Sequence, residues 1–174
     1  MPLDDVDPAR PARSLPLDRA VRVPLRRYQV MTAAAGLVSA AAVGGVLALQ
    51  RDPAYVRSVL ETRMWGVSEV SEADVAGMLT PPWGVPLAVL GVLAFTAFLW
   101  WGAARLLRPT RWIGTVAVLM ALLTALSWSV DAPRMVDRGG AGAAVLLAVF
   151  AMAVFTAVWL LVAHRRVTRD AFDG

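Results

Sequence analysis

Four stretches of this sequence, 30–49, 85–104, 112–130 and 142–163, contain no Asp, Glu, Lys, Arg or His. Each approaches the ~20 consecutive apolar residues that a bilayer-crossing helix needs. One charged side chain in the middle of such a run would oppose insertion by roughly 2.5–3.5 kcal/mol. The expected fold is therefore an all-α integral membrane protein, a bundle of four transmembrane helices.

Composition agrees. Charged residues make up 17% of the 174 residues, where a soluble domain carries roughly a quarter, and the mean hydropathy is +0.60. All 17 basic residues are Arg. With the excess of Ala, Val, Leu and Gly, this reads as the codon bias of a GC-rich genome rather than as phosphate recognition. The basic balance points to one face of a membrane protein, and no nucleic-acid partner is expected. Cys is absent, which removes disulfides, thiolate metal sites and thiol catalysis.

The arginines also orient the spans. Twelve lie on one side: Arg10, Arg13, Arg19, Arg22, Arg26 and Arg27 before the first span, Arg105, Arg108 and Arg111 after the second, Arg165, Arg166 and Arg169 after the fourth. Five lie on the other: Arg51, Arg57, Arg63, Arg134 and Arg138. The positive-inside rule then puts both termini in the cytoplasm of a multi-pass plasma-membrane protein. The resulting map has a cytoplasmic tail at 1–29, spans at 30–49, 85–104, 112–130 and 142–163, and extracytoplasmic loops at 50–84 and 131–141. A cytoplasmic loop at 105–111 and a cytoplasmic tail at 164–174 complete it. The first run is longer and its basic lead farther-reaching than in a cleaved signal peptide, so it reads as a retained anchor. Trp83 and Trp128 fall at outer span ends, and Trp100, Trp101, Trp112 and Trp159 at inner ends, as an interfacial aromatic belt would have them.

The loop at 50–84 is too long for a plain connector. It reads as two short amphipathic helices. The first starts at Asp52-Pro53 and places Tyr55, Val56, Val59 and Leu60 on one face. The second starts at Ser71, where Ser71-Glu72-Ala73-Asp74 resembles a capping box with Asp in place of Glu. Trp65 is the expected apolar anchor of a cap over the bundle, or of a partner-docking surface. Asp52-Pro53 and Asp131-Ala132-Pro133 read alike as helix starts with an Asp cap, and less readily as traces of an internal repeat.

Gly36, Ala40, Gly44 and Ala48 recur at every fourth position of the first span, and Ala117, Ala121 and Ala125 repeat the pattern in the third. Small-residue stripes let helix backbones approach closely. They either hold the four helices together or, in the first span, offer a docking face to another subunit. Arg22, Arg26 and Arg27 sit where anionic headgroups would lie.

The chemistry that is missing bounds function further. His164 is the only His. No phosphate loop or metalloprotease signature occurs, and no ionisable group lies within a span as a proton relay would need. The chain therefore reads as a non-enzyme without cofactor or metal. The leading expectation is a structural or accessory subunit of a larger membrane complex, with membrane lipid and other integral membrane subunits as partners. The alternative is a self-contained binder or carrier of a lipid or other apolar ligand, held in a groove that Thr124, Ser127 and Ser129 help to line.

Overall fold

The computed structural model describes residues 17–63 and 70–173. Among them the chain forms eight α-helices and no strand. Trp65 lies outside the described residues, as does the tail before residue 17. Four helices are long and apolar enough to cross a membrane: α1 (Leu17–Leu49), α4 (Gly84–Ala104), α5 (Arg108–Ser129) and α7 (Gly139–Ala163). At 1.5 Å per residue, the shortest of these measures about 31 Å, close to the thickness of a hydrocarbon core.

Helix α1 begins at Leu17, well before its apolar run, and carries Pro24 inside it. The segment read from sequence as an irregular tail is thus helical from Leu17 on. Pro24 lacks an N–H and crowds the preceding turn, so local propensity alone would not extend the helix. Tertiary packing supplies what propensity lacks. The short amphipathic helix α8 (Arg166–Asp173), where the sequence predicts only a tail, packs against α1. Thr168 of α8 and Tyr28 of α1 are both buried.

The four long helices close in the order α4, α1, α7, α5. Helix α1 packs along α4 on one side and along α7 on the other, and α5 packs along α7. Consecutive α4 and α5 pack far less closely against each other than either does against its other neighbour. One end of the bundle holds Arg22, Arg26 and Arg27, the α4–α5 connection and α8, and is called the arginine end below. The opposite end carries α2 (Pro53–Arg63), α3 (Glu72–Met78) and α6 (Ala132–Val136), which form a cap.

Two apolar clusters hold the bundle. Towards the cap, Ala42, Val46, Tyr55, Val59, Ala125, Met135, Val149 and Met152 join α1, α2, α5, α6 and α7. Towards the arginine end, Tyr28, Ala35, Ala103, Val118, Trp159 and Ala163 join all four long helices. Inside the cap, Val56 and Leu60 of α2 bury Val75 of α3. Ser71 and Asp74 form the reciprocal capping box that starts α3, so that two otherwise unpaired N–H groups are satisfied. Asp52 caps α2, its Oδ1 accepting from Ala54 N–H at 2.9 Å, and its Oδ2 pairs with Arg138 just before α7. Asp131 departs from the expected parallel. It makes no side-chain cap on α6, is buried, and stands 3.6 Å from Arg134 Nη1. Arg134 in turn donates through Nε to the Ser58 carbonyl at 2.7 Å. Within the cap α2 and α6 are thereby fastened to each other, and Thr80 N–H to Gln50 O at 3.1 Å closes its ends.

Candidate functional site

The site begins with small residues. A Cβ added at Gly36 would stand 2.2 Å from both Oγ1 and Cγ2 of Thr96, and one at Gly44 would stand 2.9 Å from Val89. The Gly36–Gly44 face is therefore closed against α4 of the same chain, with Ala40 buried between them and Ala48 exposed. Gly45 turns the other way, towards Val145 of α7. Such close approach replaces the hydrophobic drive that helices lack within a membrane.

Where α4 and α5 part, small side chains do the opposite and leave space. A cavity of about 450 Å³ lies among α1, α4, α5 and α7. Its walls include Gly36 and Ser39 of α1, Ala88 and Gly91 of α4, and Ala117 and Ala121 of α5. A Cβ built at Gly91 meets nothing within 4 Å. The helices close it off at the arginine end, where Gly102 receives Thr110 and Gly114 receives the Trp159 ring and Leu99.

The lining is chemically apolar even where it carries hydroxyls. Thr96, Thr124 and Thr156 donate to the carbonyls of Val92, Met120 and Met152 at 2.8, 2.8 and 2.6 Å. Thr32 donates to Tyr28 O at 2.8 Å while accepting from Trp159 Nε1–H at 2.8 Å. These groups are satisfied within the protein and ask nothing of an occupant. Ser39 is the remaining hydroxyl of the wall.

The shape limits what fits. The α1 residues that line the cavity run from Thr32 to Val43, about 16 Å of helix at 1.5 Å per residue. A volume of 450 Å³ spread over that length makes a long, narrow cleft, a shape that suits one extended hydrocarbon chain.

Several sequence-based expectations change here. Trp159 is no belt residue. It is 1% exposed, packs against Tyr28 with the rings tilted and their centroids 5.3 Å apart, and forms part of the cavity wall. By contrast Trp83, Trp100, Trp101 and Trp112 are exposed. Thr124 lines the cavity, while Ser127 and Ser129 face outward. The stripe on α5 divides, Ala117 and Ala121 at the cavity and Ala125 in the core near the cap. Gly91, Gly114 and Thr32 were missed. An isolated Gly inside an apolar run is the only signal the first two gave. His164 hydrogen-bonds through Nε2 with Thr115 Oγ1 at 3.0 Å. Because that hydroxyl already donates to Arg111 O, the imidazole is the donor.

The remaining candidates lie apart from the cleft. Arg26 and Arg27 line a separate groove at the arginine end, and Arg22 is exposed outside it. A space of only about 40 Å³ lies under the cap beside Tyr55, Trp128 and Asp131. Among the described residues no three His, Cys, Asp or Glu side chains gather into a metal-binding group. No family model matches the chain, and no curated protein or solved structure shows a significant match to it.

Proposed function

We propose that this chain is a multi-pass membrane protein that holds a single apolar chain, such as a lipid acyl or isoprenoid tail, in the cleft between α4 and α5. The observation that carries this reading is the slot itself. It is about 450 Å³ in volume, its threonine hydroxyls are internally satisfied, and it runs along about 16 Å of α1 between otherwise apolar walls. An accessory-subunit role is less well supported, because the small-residue face that would have received a foreign helix is closed by α4. The distribution of arginines supports a cytoplasmic arginine end and an extracytoplasmic cap.

The cleft is suited to binding rather than to bond making. Its walls offer an apolar surface and no nucleophile–base pair within hydrogen-bond reach. The Ser39 hydroxyl can orient one polar atom of an occupant while the alanines and Gly91 accept the hydrocarbon.

The test is lipid retention. The full chain, purified in a mild detergent, should retain close to one apolar chain per protein by mass spectrometry of extracts. A diazirine-bearing fatty acid should label residues of the Thr96–Leu99 and Ala117–Ala121 walls. Gly91→Phe puts a ring into the slot without a clash at Cβ and should reduce both signals severalfold while leaving the fold intact. Equal retention and labelling in that variant would overturn the reading, as would a stoichiometric membrane subunit cross-linked within the cleft. Orientation is tested separately. The chain has no Cys, so single cysteines introduced at Ala73 and Val167 should react with impermeant maleimide from opposite sides.

A further inference from the structure

The arginine end carries a groove that shares no residue with the cleft. It is lined by Val23, Arg26, Arg27, Val30 and Met31 of α1 and by Val162 of α7, a shallow open groove of about 520 Å³. The α1 residues follow i, i+3, i+4, i+7 and i+8 spacing, so they form one continuous face of the helix. Along that face the chemistry changes once. Met31 and Val162 provide an apolar floor continuous with the charge-free run that starts at Val30, and Arg26 and Arg27 are exposed one turn above it.

The two guanidiniums are available. Neither takes part in the ion pairs of Arg57 with Glu72, Arg134 with Asp131, or Arg138 with Asp52, which all lie at the cap. If the charge-free run marks the hydrocarbon edge, Arg26 and Arg27 stand within about 6 Å of it, at headgroup depth. A guanidinium offers five donors and no acceptor, in a fork that suits a phosphate. Two of them above an apolar channel match a molecule with an anionic phosphate at one end and hydrocarbon at the other. A soluble phosphate would use the arginines and leave the groove below them without a role.

We propose that this groove is a specific site for one anionic phospholipid, with its phosphate between Arg26 and Arg27 and an acyl chain along Val30, Met31 and Val162. This rests on the bundle lying in a bilayer, but not on the cleft holding a chain. Two headgroup arginines correspond to a preference of roughly thirtyfold for an anionic over a zwitterionic lipid.

The experiment is native mass spectrometry of the full chain exchanged between phosphatidylglycerol and phosphatidylcholine, with thermal unfolding as the fold control. One phosphatidylglycerol should be retained preferentially by the wild type. Arg26→Gln/Arg27→Gln should lose the preference, whereas Arg26→Lys/Arg27→Lys should keep most of it. Gly91→Phe should leave it unchanged, which separates this site from the cleft. Should the glutamine variant fail to fold, the wild type still decides: millimolar inorganic phosphate should not displace the lipid. A wild type without headgroup preference, a glutamine variant that retains it, or displacement by inorganic phosphate would each overturn the proposal.

Discussion

Gly142→Ala puts a single methyl where the protein has no space for one. A Cβ at Gly142 would lie 1.7 Å from the carbonyl oxygen of Met135, 2.7 Å from its carbonyl carbon and 3.0 Å from Arg138 Cβ. The first two are backbone atoms, so no rotamer change relieves them. Ordinary contact requires α6 and the first turn of α7 to separate by well over 1 Å. Met135 is fully buried in the cluster near the cap, and its carbonyl accepts Arg138 N–H at 3.1 Å, so separation disturbs both the core and the Arg138–Asp52 pair. Overpacking of this kind costs about 1–3 kcal/mol, and a weakened hydrogen bond adds about 1 kcal/mol. Ala gains up to about 1 kcal/mol over Gly from helix propensity. The expected net loss is about 1–3 kcal/mol, which lowers the unfolding temperature by roughly 2–12 °C for a chain of this size. Gly140→Ala is the matched control, since its Cβ meets nothing within 4 Å; it should be neutral or stabilising. Far-UV circular dichroism during heating in detergent reads both. Equal stabilities would refute the packing assigned to the α6–α7 junction.

Other outcomes follow from the same reasoning. The Schellman end of α4 places Leu106 at φ 53°, with Leu107 N–H bonded to Gly102 O at 2.9 Å; Leu106→Gly should raise stability by up to ~1 kcal/mol in the same melt. Gly36→Ala should destabilise the isolated chain by about 1–3 kcal/mol, with partial recovery on adding Thr96→Ala, whereas a stripe that served only a foreign subunit would leave the isolated chain unaffected. Trp159→Phe removes the donor to Thr32 and should lower stability by about 1–3 kcal/mol, with a reduced yield of diazirine labelling in the cleft. Hydrogen bonds from the Ser71 side chain and backbone hold the Asp74 carboxyl below its usual value. The capping box therefore stabilises α3 above the ordinary carboxylate range and is lost as pH falls through the depressed value. The protection factors of the amides over 72–78, taken against intrinsic exchange rates at each pH, should fall on acidification, and Asp74→Asn should abolish that pH dependence.

What could be read in the residues was whatever depends on near neighbours along the chain. The four charge-free runs announce the long helices, because length and hydropathy are local properties. Ser71 with Asp74 and Asp52 with Pro53 announce helix starts, since a cap is made within three or four residues. Tyr55, Val56, Val59 and Leu60 share a face by spacing alone, and that face is buried. Spacing could not say which neighbour each face meets. The Gly36 stripe left a foreign subunit open as an alternative to the chain's own helices, and only the crossing with α4 assigned Thr96 and Val89 to it. Trp159 has the position of a belt residue, yet Gly114 on α5 makes room for its ring and Thr32 on α1 accepts its N–H. Helix α8 and the early start of α1 support each other across the fold, so neither stood out alone. The cleft is the extreme case. It exists because small residues on three helices face one another where α4 and α5 part, and a void belongs to no single segment of sequence. Local chemistry determined the elements, and the pairing of their faces was decided only when the helices packed.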